Sequence, residues 1–273
     1  LALNTLMPEW VDILILGIVE GITEFLPVSS TGHLLLTQQL FGRWIEPQSD
    51  LFNIVIQSGA VLAVIPLFWN RISDCMIHWR ERSTQIFLGQ VLLAFVITGV
   101  GGLLLEKNGF ILPDHPLPIA LALLIGGILF IGVEGWLRGR KAQEEITWRI
   151  AVMVGLGQLI AAVFPGASRS GTTILIALLM GLSQPRATEF SFLVGIPTML
   201  AAGGYKIWKA LKLPLNEGVA EDWAMVAWGA VVSGIVSFMA VKWLLGYVQS
   251  HSFRSFGVYR IAVGALLLLI VFG

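Results

Sequence analysis

The chain has 273 residues, of which 56% are hydrophobic and 12% charged, and its mean hydropathy is +0.82. Soluble domains carry about 25% charged residues, so this composition excludes an ordinary soluble domain and specifies an integral membrane protein. The formal net charge is zero, which gives no electrostatic footprint for nucleic acid or an acidic partner. The single cysteine, Cys75, excludes an intrachain disulfide and belongs to no metal-ligand motif, so it reads as a bland loop residue.

Along the chain, the first apolar helix runs over about 10–26. It does not read as a typical signal peptide, having no basic n-region and glutamates within its apolar run. Glu20 and Glu24 are four apart and share one face. A proline, Pro27, ends this helix, a polar turn follows over 27–33, and a short second helix covers about 34–42. Charge-free stretches at 51–70, 83–105, 116–133, 150–168, 190–205, 223–241 and 261–273 are the spanning candidates. A crossing needs roughly 20 residues. Polar loops fall around 70–85, 106–115, 138–149 and 209–222. Tryptophans near helix ends (Trp10, Trp69, Trp136, Trp148, Trp208, Trp223) fit an interfacial belt.

The chain repeats itself. A shift of 138 residues sets Gly17 on Gly155, Glu20 on Gln158, Pro27 on Pro165, Ser30 on Ser168, Phe52 on Phe190, Asn53 on Ser191 and Gly126 on Gly264. One membrane domain, 1–273, thus divides into repeats at approximately 10–137 and 148–273. In the second, a helix at about 149–164 is followed by a turn at 165–173 and a short helix at 172–182. About 12 helical residues cover only about 18 Å, too little to cross. Each pair therefore reads as a re-entrant hairpin whose turn lies at membrane depth, where broken backbone survives only inside protein or beside a watery cavity. Three full spans complete each half, and an odd number of crossings inverts the second half relative to the first. The expected fold is an all-α polytopic membrane protein with an inverted-topology repeat. Arg71, Arg80, Arg82, Arg138, Arg140, Lys141 and Arg149 place their loops in the cytoplasm with Arg186 and Arg254. Arg43, Lys107, Lys209 and Lys212 fall on the other side.

Two carboxylates at membrane depth need a metal ion, a shared proton or a cationic side chain. The plain alternative is a helix end reaching water. The second turn, "PGASRSGTT" from 165 to 173, offers amides, hydroxyls and a helix N-terminus to an anion. Arg169 is the only charge between 150 and 185. Its guanidinium fork matches phosphate oxygens, although it could equally neutralise the glutamates, and one site can use both. His33, beside Ser30, suits proton transfer or nucleophilic attack. Ser29, Thr31, Ser170 and Thr172 are weaker candidates that could simply cap the short helices. Asn53, Gln57 and Glu189 suit interhelical hydrogen bonding. Glu134 and Arg260 fall near helix ends, the latter with a possible head-group contact. An acidic, His-containing turn facing a basic, serine-rich one suits a lipid phosphate and a divalent cation.

The motifs "EGITEFLPVSSTGH" and "PGASRSGTT", with "EFSFLVGIP" and the repeat, resemble the bacterial undecaprenyl-diphosphate phosphatase family of the bacitracin-resistance type. The resemblance covers essentially the whole chain. It implies removal of the terminal phosphate of undecaprenyl diphosphate, giving undecaprenyl phosphate and inorganic phosphate and recycling the lipid carrier of cell-wall synthesis. It implies a multi-pass protein of the bacterial inner membrane, a site opening to the periplasm, and support from a divalent cation, Mg2+ or Ca2+. By resemblance Glu20 and Glu24 bind the cation or assist acid–base steps. Ser30 and His33 lie beside the phosphate, with His33 or a serine as nucleophile, or else a metal-activated water. Ser168, Arg169 and Thr173 grip the diphosphate, with Ser29, Ser170 and Gly171 lining the substrate site. The partners are a polyprenyl diphosphate and the bilayer, with room for a homodimer. The rival class is a lipid-phosphate flippase or ion-coupled transporter, because inverted repeats and intramembrane carboxylates recur there. Ser and His opposite Ser-Arg favour an enzyme; hydrolysis and flipping in one protein stays open.

Overall fold

The computed structural model describes residues 9–41, 50–110, 115–211 and 222–272. Among these the architecture is all α. The first half holds α1 (Glu9–Thr23), α2 (Ser30–Phe41), α3 (Asp50–Val64), α4 (Trp69–Ile77), α5 (Arg82–Lys107) and α6 (Pro116–Leu137). The second holds α7 (Trp148–Val163), α8 (Arg169–Leu179), α9 (Gln184–Leu211), α10 (Trp223–Tyr247) and α11 (Arg254–Phe272). A 3-10 turn over Ile65–Phe68 joins α3 to α4, with Pro66 supplying the residue that has no N–H to bond. Six helical stretches are long and apolar enough to cross a membrane: Phe52–Ile77, Arg82–Lys107, Pro116–Leu137, Gln184–Lys209, Trp223–Tyr247 and Arg254–Phe272. The short helices α1, α2, α7 and α8 form the two pairs that do not span alone.

Three expectations change. The loop expected at 70–85 is helical to Ile77 and resumes as α5 at Arg82. Its polar residues sit at helical spacing, where Asp74 pairs with Arg71 (3.9 Å) and His78 (3.0 Å). Cys75 is accordingly not a loop residue but a buried one on α4, packed into the main apolar core. The second helices also start earlier than expected: α2 at Ser30 rather than 34, α8 at Arg169 rather than 172. Arg43, Lys212 and most of the 209–222 loop lie outside the described residues.

The packing is reciprocal. α1 lies along α10, with Gly17 against Gly229 and Val232 and Gly21 against Ser233 and Ser237, so the two run in the same direction. A Cβ on Gly21 would stand 2.6 Å from the Ser233 carbonyl, so only glycine admits this approach. α7 lies along α5 in the same sense, with Trp148 at Gly89, Gly155 at Ala94 and Leu159 at Gly101. α6 pairs with α11 through Gly127 and Gly257, each of which would drive a Cβ into the other's carbonyl.

Polar contacts mark the two ends of the bundle. At one, Glu134 of α6 accepts from Gln184 (2.8 Å) and from the Phe253 amide (2.8 Å), while Arg71 lies 3.8 Å from Glu189. At the other, Lys209 of α9 meets Glu106 of α5 at 3.4 Å. α5 therefore starts at the end where α10 finishes. It follows that α1, which tracks α10, and α7, which tracks α5, enter the bundle from opposite ends and break off inside it.

Candidate active site

Each break is built on one serine. Ser29 (φ 75°) and Ser168 (φ 69°) are the two non-glycine residues with positive φ among the described residues. Such a backbone costs on the order of 1–3 kcal/mol and persists only where surroundings enforce it. Here the enforcement is capping. Ser29 Oγ accepts from the Gly32 amide (3.3 Å) and Ser168 Oγ from the Gly171 amide (3.1 Å), satisfying donors that a helix start leaves free. The equivalent pentapeptides are thus "SSTGH" and "SRSGT". Ser168 corresponds to Ser29, not to Ser30, because the second break carries one more residue between its proline and its serine. The first helical residues are then Ser30 in one half and Arg169 in the other.

Both of these reach the same carboxylate. Glu24 Oε2 accepts from Ser30 Oγ at 2.8 Å and from Gln57 Nε2 at 3.1 Å, and Glu24 Oε1 faces Arg169 Nη2 at 3.5 Å. The Glu24 amide donates to the Glu20 carbonyl at 2.9 Å, which keeps both acids on one helical face. Glu20 is 2% exposed and Glu24 5%. Arg169 lies over the Phe25 ring, 5.4 Å from its centroid, and occupies the space that a side chain on Gly195 would fill. None of its three guanidinium nitrogens makes a hydrogen bond among the described residues, and neither does Glu20 Oε2. Buried polar groups are normally satisfied, so Arg169 Nε and Nη1 and Glu20 Oε2 have hydrogen-bonding capacity left over, while Nη2 is engaged in the ion pair with Glu24.

Arg260 fastens the breaks together. It is fully buried, and its guanidinium donates to Pro27 O (3.2 Å) in the first break and to Gly166 O (3.2 Å) and Ala167 O (3.0 Å) in the second. A fourth bond goes to Ala122 O of α6 at 3.1 Å. The head-group contact expected of it is replaced by this clasp, because turns without helical hydrogen bonds leave carbonyls that need donors at depth. Ser170 Oγ adds a bond across the breaks to Leu26 O (3.1 Å).

A family model described as "Bacitracin resistance protein BacA" matches residues 13–266, a span that contains both breaks, Glu20, Arg169 and Arg260. The chain belongs to the BacA family. A relative from Rhizobium etli (strain CIAT 652), named "Undecaprenyl-diphosphatase", is 50% identical over 263 residues, covering 95% of this chain and 96% of its own. One of the same name from Xanthomonas axonopodis pv. citri (strain 306) is 46% identical over 266 residues, covering 96% and 97%.

The remaining candidates of this BacA-family chain are placed as follows. His33 is buried on α2, its Nδ1 against Ser29 O (2.7 Å) and its Nε2 against the Tyr259 hydroxyl (2.8 Å). Thr173 is buried and bonds to Arg169 O (2.8 Å), Ser170 O (3.1 Å) and Ser191 Oγ (2.5 Å). Ser168 Oγ also faces Ser170 Oγ (3.2 Å), and Thr172 reaches back to Ala167 O (3.4 Å). Gly171 lets the Arg260 guanidinium lie against the first turn of α8. Glu189 stays at the bundle end with Arg186 (2.6 Å) and Arg71, away from the site. Gln57 makes its interhelical bond to the site itself, and Tyr259 had no signal in the sequence at all. Arg260, expected near a helix end, is instead the seventh residue of α11 and fully buried, and an arginine that deep in an apolar helix is costly enough to demand an explanation.

For a cation, the donor set is two buried carboxylates. Among the described residues no three His, Cys, Asp or Glu side chains group as a metal site. Glu20 and Glu24 therefore fit a hard divalent ion only if substrate phosphate oxygens and water complete its shell, the usual arrangement for Mg2+.

Proposed function

We infer that this chain is an undecaprenyl-diphosphatase. It hydrolyses undecaprenyl diphosphate to undecaprenyl phosphate and inorganic phosphate, returning the lipid carrier to cell-wall synthesis. The observation that carries the reading is Glu24 held between the Ser30 hydroxyl and the Arg169 guanidinium. A hydroxyl donating to a carboxylate is a nucleophile beside its base. A fork with unused donors beside it suits an anion.

In the mechanism we propose, Ser30 Oγ attacks the terminal phosphorus as its proton passes to Glu24, and the bridging P–O bond breaks to release undecaprenyl phosphate. Water then cleaves the phosphoserine, and Ser30 Oγ recovers a proton. Arg169 neutralises charge on the phosphoryl oxygens in a site of low dielectric, where preorganised charge counts most. Ser30 is favoured over His33 as nucleophile because both imidazole nitrogens already have partners within the chain. Thr173, Ser168 and Ser170 hold the first turn of α8 so that Arg169 is correctly aimed, and Ser29 and Gly171 do the same for the helix starts. Glu20 and Glu24 would hold a divalent cation, Mg2+ or Ca2+, which when bound supplies further positive charge to the diphosphate.

The protein is a multi-pass membrane protein. We propose that it lies in the bacterial inner membrane with the end bearing Arg71, Arg186 and Arg254 in the cytoplasm, the two halves inverted, and the site open to the periplasm. The test of activity is phosphate release from undecaprenyl diphosphate by the purified protein in detergent. Release that depends on Ser30 is expected. No release with or without Mg2+ or Ca2+ would overturn the enzyme reading in favour of transport.

A further inference from the structure

His33 and Tyr259 meet across two helices that otherwise touch little. A carbonyl oxygen only accepts, so His33 Nδ1 carries a proton and donates to Ser29 O at 2.7 Å. In the neutral ring the lone pair is then on Nε2, which accepts from the Tyr259 hydroxyl at 2.8 Å. The rings stack, 8° from parallel with centroids 5.5 Å apart. Tyr259 is 46% exposed, whereas His33 is 8% exposed, so the phenol links a buried imidazole to the edge of the protein. Its backbone is fixed relative to the site, because the next residue is Arg260, whose side chain fastens both breaks.

We propose that Tyr259 is a positioning residue for the hydrolysis: with the Ser29 carbonyl it holds the His33 imidazole in one tautomer and one orientation, one helical turn beyond Ser30. This rests on the phosphatase reading above. His33 and Ser30 are three residues apart at the start of α2, so they share a face. A ring free to turn about its Cβ would lose its Nδ1 bond to the carbonyl of Ser29, the residue whose hydroxyl caps the helix that starts with Ser30. The Tyr259 hydroxyl removes that freedom, and a phenol can also accept from the imidazolium, so the contact survives protonation of the ring.

Tyr259→Phe keeps the stacked ring and removes only the hydroxyl. In purified protein in detergent, kcat for phosphate release is expected to fall about tenfold, the scale of one hydrogen bond, with KM within about twofold. The His33 Nε2 resonance in 15N NMR should move, a signature that packing alone does not alter. In the double variant with His33→Ala, Tyr259→Phe should cost nothing beyond His33→Ala itself. A wild-type kcat in Tyr259→Phe, an unmoved Nε2 resonance or an additive loss in the double variant would each overturn the proposal. If His33→Ala leaves too little activity for the cycle, the Nε2 resonance decides. Failure of the wild-type protein to release phosphate in the same assay overturns the phosphatase reading instead.

Discussion

The two breaks have one backbone and opposite chemistry. Each is a serine at positive φ whose hydroxyl caps a short helix, and each presents the first side chain of that helix to Glu24. Their side chains then diverge. The first break follows two carboxylates and offers a hydroxyl and an imidazole. In the second, Gln158 and Ala162 stand where the repeat would put carboxylates, Arg169 replaces Ser30, and Thr172 replaces His33. Gln158 Nε2 donates to the hydroxyls of Thr98 (2.9 Å) and Thr198 (3.4 Å), within the helix packing. Duplicated geometry brings two helix starts face to face, and unequal substitution makes one acidic and the other basic. Two identical breaks would have repelled or left a charge unpaired at a depth where that is expensive.

The comparison can be broken hardest at Arg169. Arg169→Ala removes the only cation of the second break, and phosphate release is expected to fall about a thousandfold, as when a preorganised charge stabiliser is lost. A folded variant with near wild-type release would remove Arg169 from the phosphate site. Arg260→Met tests whether the breaks need fastening. It leaves three break carbonyls without their donor, and thermal unfolding in detergent should reveal a loss of about 3 kcal/mol; an unchanged melt would mean that water or neighbouring groups replace the clasp. Glu24→Gln keeps shape but not charge. Its rate should fall about a hundredfold, and titration with Mg2+ or Ca2+ after chelation should no longer raise it; an intact cation response would move the ion off Glu24. The smallest effect belongs to Thr173→Val. Its hydroxyl is used entirely within the protein, so stability should drop by about 1 kcal/mol with KM unchanged. A raised KM would instead put Thr173 on the substrate.

Much of this was legible in the sequence, because its signals are strong ones. Charge-free runs of spanning length, prolines ending two helices and glutamates inside an apolar face all have few cheap explanations in a bilayer. What misled was local. The register of the two breaks slips by one after Pro27 and Pro165, since Gly166 and Ala167 face Val28 alone, and a constant shift hides that. The capping serines pull Ser30 and Arg169 into helices, whereas a run of Ser, Thr and Gly reads as a turn. Asp74, His78 and Arg71 make a charged stretch look like a loop, although they pair along α4. Tyr259 could not be read at all, because its meaning comes from a helix 226 residues away.

The Arg260 clasp has a consequence for biogenesis. Membrane helices are inserted in chain order, and Arg260 belongs to α11, which follows every other described helix. Until α11 is threaded in, the carbonyls of both breaks lack their shared donor, and only the Ser170–Leu26 bond and the Glu24–Arg169 ion pair join the acidic tip to the basic one. Catalytic competence is therefore a late event in synthesis. A nascent protein that has already placed Glu24 and Arg169 in the bilayer still awaits the side chain that brings them into register.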